Sequence, residues 1–318
     1  MPRFARFAWA LLAYDIAVVA WGAYVRATGS GAGCGAHWPL CNGELVPRSP
    51  PVAMLVELSH RVTSGLALAL SLGLLVWALR VYPRGHIVRT GAIASAAFMG
   101  SEALIGAGLV LLGLVAHDES LKRAVSLCLH LTNTFLLLAS TALTAWWASG
   151  GASPVKRDQR AVAWTMGIPL AAMVLVGASG AVTALGDTLF PPSSLAAGLA
   201  QDFAAHAVGA SVFVRLRALH PVLAASTGAS ILVAASVVRT LRPAPAVRTL
   251  SYVASALVVA QIGAGLLDVY TLAPVPLQLV HLVLADGVWI ALVLTCAAAL
   301  GASPEPATQA QGAVTARP

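Results

Sequence analysis

Ile105-Gly106-Ala107-Gly108-Leu109 recurs residue for residue as Ile262-Gly263-Ala264-Gly265-Leu266. Each copy lies in an apolar run long enough to cross a bilayer as a helix. Working outward from these two, the chain resolves into eight such runs, at about residues 7 to 26, 53 to 80, 90 to 115, 123 to 149, 161 to 184, 217 to 239, 249 to 270 and 278 to 300. Composition agrees: 58% of the 318 residues are hydrophobic and 10% charged, and the mean hydropathy is +0.83, outside the range of water-soluble domains. The expected fold is therefore an all-α integral membrane protein of eight transmembrane helices. The first run follows Arg3 and Arg6 but leads to no small-residue cleavage site with a soluble domain behind it, so it reads as a retained span and not a signal peptide.

The repeated pentapeptide falls in the third and the seventh run, so four helices read as duplicated in tandem. An even number of spans per copy gives both copies the same orientation. This predicts two four-helix bundles related by a pseudo-two-fold axis along the membrane normal. Residues 1–150 form the first half and 151–301 the second, divided at Gly150, Gly151, Ser153 and Pro154 with Lys156 and Arg157 after them. Residues 302–318, rich in Ala, Pro, Thr and Gln, read as a disordered tail. In the Gly-Ala-Gly stretches the small side chains are expected to permit close helix contact, in preference to a ligand role.

Basic residues set the orientation. With a cytoplasmic N-terminus, Arg3, Arg6, Arg80, Arg84, Arg89, Lys156, Arg157, Arg160, Arg239, Arg242, Arg248 and Arg317 all fall on the inner side. That bias puts both termini in the cytoplasm. The net charge of +7 is thus a topology signal, and no motif supports binding to nucleic acid.

His60, His130, His220 and His281 occur in the second, fourth, sixth and eighth runs, a short way in from the outer side. An ionisable group within a membrane is costly and usually functional. One such histidine alone is as readily a hydrogen-bonding partner for a neighbouring helix, but four in a duplicated frame predict two bis-histidine sites, one per half. Imidazole pairs of this kind ligate haem iron. Zinc is the competing metal, yet a closed zinc site usually takes four protein ligands and often cysteine, whereas haem brings its own equatorial nitrogens. Arg26, Arg61, Lys122 and Arg123 in the first half, with Arg215 and Arg217 in the second, form a basic outer rim suited to haem propionates. Lipid headgroup contact is the alternative use for each. His37, His86, His117 and His206 fall in loops and are assigned no metal.

Two features belong to the first half alone. Cys34 and Cys41 lie in a Gly- and Pro-rich outer loop, where a close pair is expected to be oxidised. A structural staple and a redox role both stand open for that disulfide. Cys128 and Cys296, within spans, read as buried thiols. Glu57 precedes His60 by three residues and shares its helix face, while Arg217-Ala218-Leu219 before His220 offers no acid. Chemistry is thus expected in the first half, with Glu57 as its catalytic group; a salt bridge to Arg61 is the alternative. Asp15, Glu102, Asp268 and Asp286 read as interhelical hydrogen-bonding or interface groups.

The run Arg26-Ala27-Thr28-Gly29-Ser30-Gly31 leading into Cys34 and Cys41, the stretch Glu57-Leu58-Ser59-His60-Arg61, and the later His130, His220 and His281 resemble bacterial haem A synthase. Pro221 after His220, and the lack of a cysteine pair between Asp187 and Phe213, depart from the pattern. The resemblance implies a multi-pass enzyme of the bacterial cytoplasmic membrane that oxidises a ring methyl of haem O to a formyl group through a hydroxymethyl intermediate, for terminal oxidase biogenesis. It implies haem O between His60 and His130, a haem b cofactor on His220 and His281, and oxygen taken from dioxygen or water. Haem O synthase and terminal oxidase assembly factors would be its partners, in a lipid surrounding. The competing function is a dihaem b-type electron-transfer cytochrome, which accounts for the four histidines but not for Glu57 or the cysteine loop. A haem transporter without chemistry is a third.

Overall fold

The computed structural model describes residues 1–44, 48–116, 118–155, 159–204 and 212–301. His117, Lys156, Arg157, His206, Arg317, the side chain of Arg215 and the tail 302–318 lie outside the described residues. Among the described residues there are nine α-helices and no strand. The helices are α1 (Arg3–Ala27), α2 (Val52–Val81), α3 (Ile87–Leu111), α4 (Leu121–Ala148), α5 (Arg160–Leu189), α6 (Leu195–Ala204), α7 (Val212–Leu241), α8 (Pro245–Tyr270) and α9 (Val275–Gly301).

Eight of them, all but α6, are long and apolar enough to cross a membrane. In hydrocarbon every backbone amide must be paired within its own segment, which a continuous helix achieves. At 1.5 Å per residue the shortest, 25 residues long, exceeds the roughly 30 Å of a hydrocarbon core. The chain is a multi-pass membrane protein. α6 was not expected; it occupies part of the segment read as an outer loop. The third span also stops earlier than its apolar run, because Gly113 takes a left-handed φ of +69° just past Leu111. Pro169 and Pro221 stand inside α5 and α7, each removing one ladder hydrogen bond.

The first four long helices and the last four meet along α1, α4, α5 and α9. The seam is apolar and close-packed: Phe135 of α4 stacks on Trp289 of α9 with ring centroids 4.9 Å apart, and the Trp289 indole N–H donates to the Phe135 carbonyl at 2.6 Å. One polar link crosses at the end of the bundle that carries the Cys34–Cys41 loop, called the loop end below. There Arg26 of α1 donates to the Ala184 carbonyl and the Thr188 hydroxyl of α5, and to the Gln278 amide oxygen of α9. Arg26 was expected on the rim of the first half; its guanidinium instead bonds to the second.

Candidate functional site

Each of the four histidine rings rests over a glycine of the long helix before it. A Cβ added at Gly22 of α1 would stand 2.9 Å from His60 Cε1, and one at Gly265 of α8 would stand 2.9 Å from His281 Cε1. The corresponding distances are 3.1 Å from Gly180 of α5 to His220 and 3.8 Å from Gly106 of α3 to His130. A side chain in any of the closer three would have to push an imidazole aside. Gly106 and Gly265 belong to the repeated pentapeptides, so the close helix contact expected of those stretches includes the imidazole rings of the next helix. The match is also out of register with the repeat: the first glycine of one copy is used, and the second of the other.

His60 and His130 lie within electrostatic range of one another, and so do His220 and His281. The structure thus brings the four together as the two pairs expected. All are half-buried. Nδ1 of His60, His130 and His281 is buried without a hydrogen-bond partner, while His220 Nδ1 shares a 2.8 Å hydrogen bond with the Ser179 hydroxyl, next to its own glycine seat. Unpartnered ring nitrogens on glycine-cleared seats fit a flat group ligated from both sides. No group of three or more His, Cys, Asp or Glu side chains is placed to hold a metal ion among the described residues, so the zinc reading finds no donor set there.

The loop-end roof of the first pair is built from Glu57. Its carboxylate accepts the Cys34 backbone N–H at 2.7 Å and pairs with Arg61. Arg61 in turn donates to the carbonyls of His37 at 2.6 Å and Leu40 at 2.8 Å. Cys34 and Cys41 are joined in a disulfide. Gly33 presses the loop onto the start of α2, where a Cβ would come within 2.6 Å of the Ala53 backbone. The salt bridge named above as the alternative for Glu57 is therefore present, and Glu57, only 3% exposed, fastens the disulfide loop one turn above His60.

Over the second pair the position three before the histidine holds Arg217. It donates to Asp202 at 2.8 Å and Gln201 at 3.2 Å, both on α6, and lies 3.3 Å from Asp187 of α5. Arg123 donates to the Ala116 and Asp118 carbonyls. Arg26, Arg61, Arg123 and Arg217 are thus all engaged with protein acceptors, and Lys122 is exposed. His86 caps α3, accepting the Val88 N–H, in a structural role that suits the absence of an assigned metal. Cys128 and Cys296 are free and half-buried.

Glu102 was read as a plain interhelical group, and the structure gives it more. It stands 3.3 Å from His130 Nε2 and accepts from Thr134 and Asn133 of α4. Gln261, four residues before Gly265 as Glu102 is four before Gly106, lies 3.1 Å from His281 Nε2. Asp15 and Asp286 are fully buried with no hydrogen-bond partner among the described residues, which leaves them the interface part of the expectation and not the hydrogen-bonding one.

Residues 5–293 match the family model described as cytochrome oxidase assembly protein. A Thermus thermophilus protein named protohaem IX farnesyltransferase is 49% identical over 298 residues, covering 94% of this chain and 48% of that protein. The haem A synthase of Bacillus mycoides is 39% identical over 128 residues, 40% of this chain and 41% of that protein. A Bacillus cereus haem A synthase is 38% identical over the same length. The chain spans about half the length of the curated relatives it matches, or less.

Proposed function

We propose, from the premise that this chain belongs to the cytochrome oxidase assembly protein family, that it is a haem A synthase, oxidising a ring methyl of haem O to a formyl group through a hydroxymethyl stage. The observation that carries this reading is the pairing of two similar histidine sites with dissimilar surroundings. His60 and His130 receive the substrate haem, and His220 and His281 hold haem b. The bound haem b supplies reversible one-electron chemistry. Everything else asked of the second half is retention, through the seats at Gly180 and Gly265 and the Ser179 hydroxyl that orients the His220 ring.

In the first half the Glu57 carboxylate is fixed by two donors, Cys34 N–H and Arg61, one turn from His60. A carboxylate held in place stabilises positive charge developing at the substrate carbon without reorganising, and can orient the water that captures it. Arg61 and the disulfide loop position Glu57. A cytochrome that only relays electrons has no use for this arrangement on one pair alone. The histidine end of the bundle then faces outward from a bacterial cytoplasmic membrane, both termini lie in the cytoplasm, and haem O synthase and terminal oxidase assembly factors are the partners.

The Thermus relatives carry a name for farnesylation of protohaem, but as proteins about twice as long as the stretch matched. A farnesylated protohaem is the substrate that the present reading requires. The test supplies the purified chain, with a reductant and oxygen, either haem O or protohaem plus a farnesyl donor, and separates the extracted haems by chromatography. Haem A from haem O supports the synthase. Haem O from protohaem would transfer the Thermus name to this chain instead, and unchanged haems in both arms would favour the dihaem cytochrome.

A further inference from the structure

The two sites differ most on the side away from the loop end, one turn beneath the second histidine of each pair. In the first half this turn is polar: Glu102 is gripped by Thr134 and Asn133, and Asn133 is itself tied to Ser101 and the Phe98 carbonyl. Buried Asp15 lies within electrostatic range of Glu102. At the same distance from its glycine seat the second half has the neutral Gln261, its Nε2 against His281 and its Oε1 buried without a partner among the described residues, and the residues three and four past His281 are Leu284 and Ala285. A carboxylate offers roughly four acceptor positions, and Glu102 has three neighbours on it, Thr134, Asn133 and His130. Its side chain is 17% exposed, and by that count one acceptor position has no protein partner among the described residues.

Resting on the haem reading above, we propose that Glu102 is the specificity-determining residue of the first half, accepting a hydrogen bond from a hydroxyl on the substrate's alkyl side chain. Lys122, the exposed cation of the first-half rim, stands at the loop end and Glu102 deeper in the bundle, so a macrocycle that turns its carboxylates to the loop end turns the opposite edge toward Glu102. That edge bears only vinyl groups in protohaem, whereas haem O carries a hydroxyethylfarnesyl group there. A purely apolar wall discriminates poorly between such ligands. A fixed acceptor does better, because a ligand lacking the hydroxyl leaves it unpaired.

The hydroxyl can be separated from the prenyl chain by choice of ligand. Iron haematoporphyrin has hydroxyethyl groups in place of the vinyls and no farnesyl tail. The full chain in detergent, its second half loaded with haem b, is titrated with haem O, iron haematoporphyrin and protohaem, and the first-half signal is identified as the one lost in His60→Ala. Haem O and iron haematoporphyrin should bind about tenfold or more tightly than protohaem. In Glu102→Leu the three should come within about twofold of one another, with second-half haem unchanged. Equal binding of iron haematoporphyrin and protohaem to the unaltered chain overturns the proposal, and needs no variant to fold. So does a Glu102→Leu protein that weakens all three alike, which would make Glu102 a support for His130. Tight haem O with weak iron haematoporphyrin would assign selectivity to the prenyl chain instead. A chain that takes up no haem in either half would defeat the haem reading itself, a different result from haem bound without discrimination.

Discussion

Three residues before His60 stands Glu57, and three before His220 stands Arg217. Both positions do the same mechanical work with opposite charge. Glu57 holds its outer loop by a backbone N–H and an arginine, whereas Arg217 holds its own by two aspartates and a glutamine. What remains common to the two halves is the pair of imidazoles over glycines. The difference teaches that the seats define a site and the turns above and below it define its use.

That comparison breaks most visibly if the halves do not act separately. His281→Ala should abolish the low-spin haem of the second half completely while the first half still takes up haem O, as read by paramagnetic resonance and by haem extraction. Loss of both haems together would mean one coupled site. The next largest effect belongs to Glu57. Glu57→Gln keeps size and an acceptor for Cys34 N–H but removes the charge, so haem A formation should fall about a hundredfold or more, with haem O or its hydroxylated form accumulating and haem b retained. Near-normal haem A from that protein would leave Glu57 as a fastener for the loop alone.

The glycine seats sharpen the comparison within each half. Gly22→Ala and Gly265→Ala place a methyl 2.9 Å from a ring carbon and should weaken haem binding about tenfold in their own half; Gly106→Ala, with 3.8 Å available, should change it little. Equal tolerance at all of them in optical titrations would remove the seat argument. The smallest effect is expected from the disulfide. Cys34→Ser should cost the loop about 2 kcal/mol through lost chain constraint, seen as a lower melting temperature, with second-half haem content unaltered. Two alkylatable thiols at Cys34 and Cys41 in protein isolated without reductant would show that the bond is not formed.

The eight spans were legible because hydrocarbon demands continuous apolar helices, and the histidine pairs because an ionisable residue stands out in such helices. The seats were only half legible. Gly106 and Gly265 lay in a repeat that drew notice as a packing motif, but Gly22 and Gly180 carry no motif, and which glycine faces which ring depends on helix rotation that periodicity in an all-apolar span does not encode. Glu102 was read as an interhelical group and does bond across to Thr134 and Asn133, but its place beside His130 was not legible, for a related reason. One acid among several in apolar runs gives no sign of its neighbour until α3 and α4 are laid side by side. Arg61 and Arg217 stand at the loop end of their helices, but which partners they meet was not legible, since these include loop backbone and α6, a short helix hidden in a segment that looked irregular.

Arg26 has a consequence for how the protein is made. A chain is synthesised from its N-terminus, so α1 reaches the membrane before α5 and well before α9. Yet the acceptors for the Arg26 guanidinium, the Ala184 carbonyl, the Thr188 hydroxyl and the Gln278 amide, lie on those later helices. The guanidinium therefore gains two of its acceptors only when α5 is in place and the third only with α9. The Arg26 corner of the first half is thus closed only when Gln278, near the start of the last long helix, is in place.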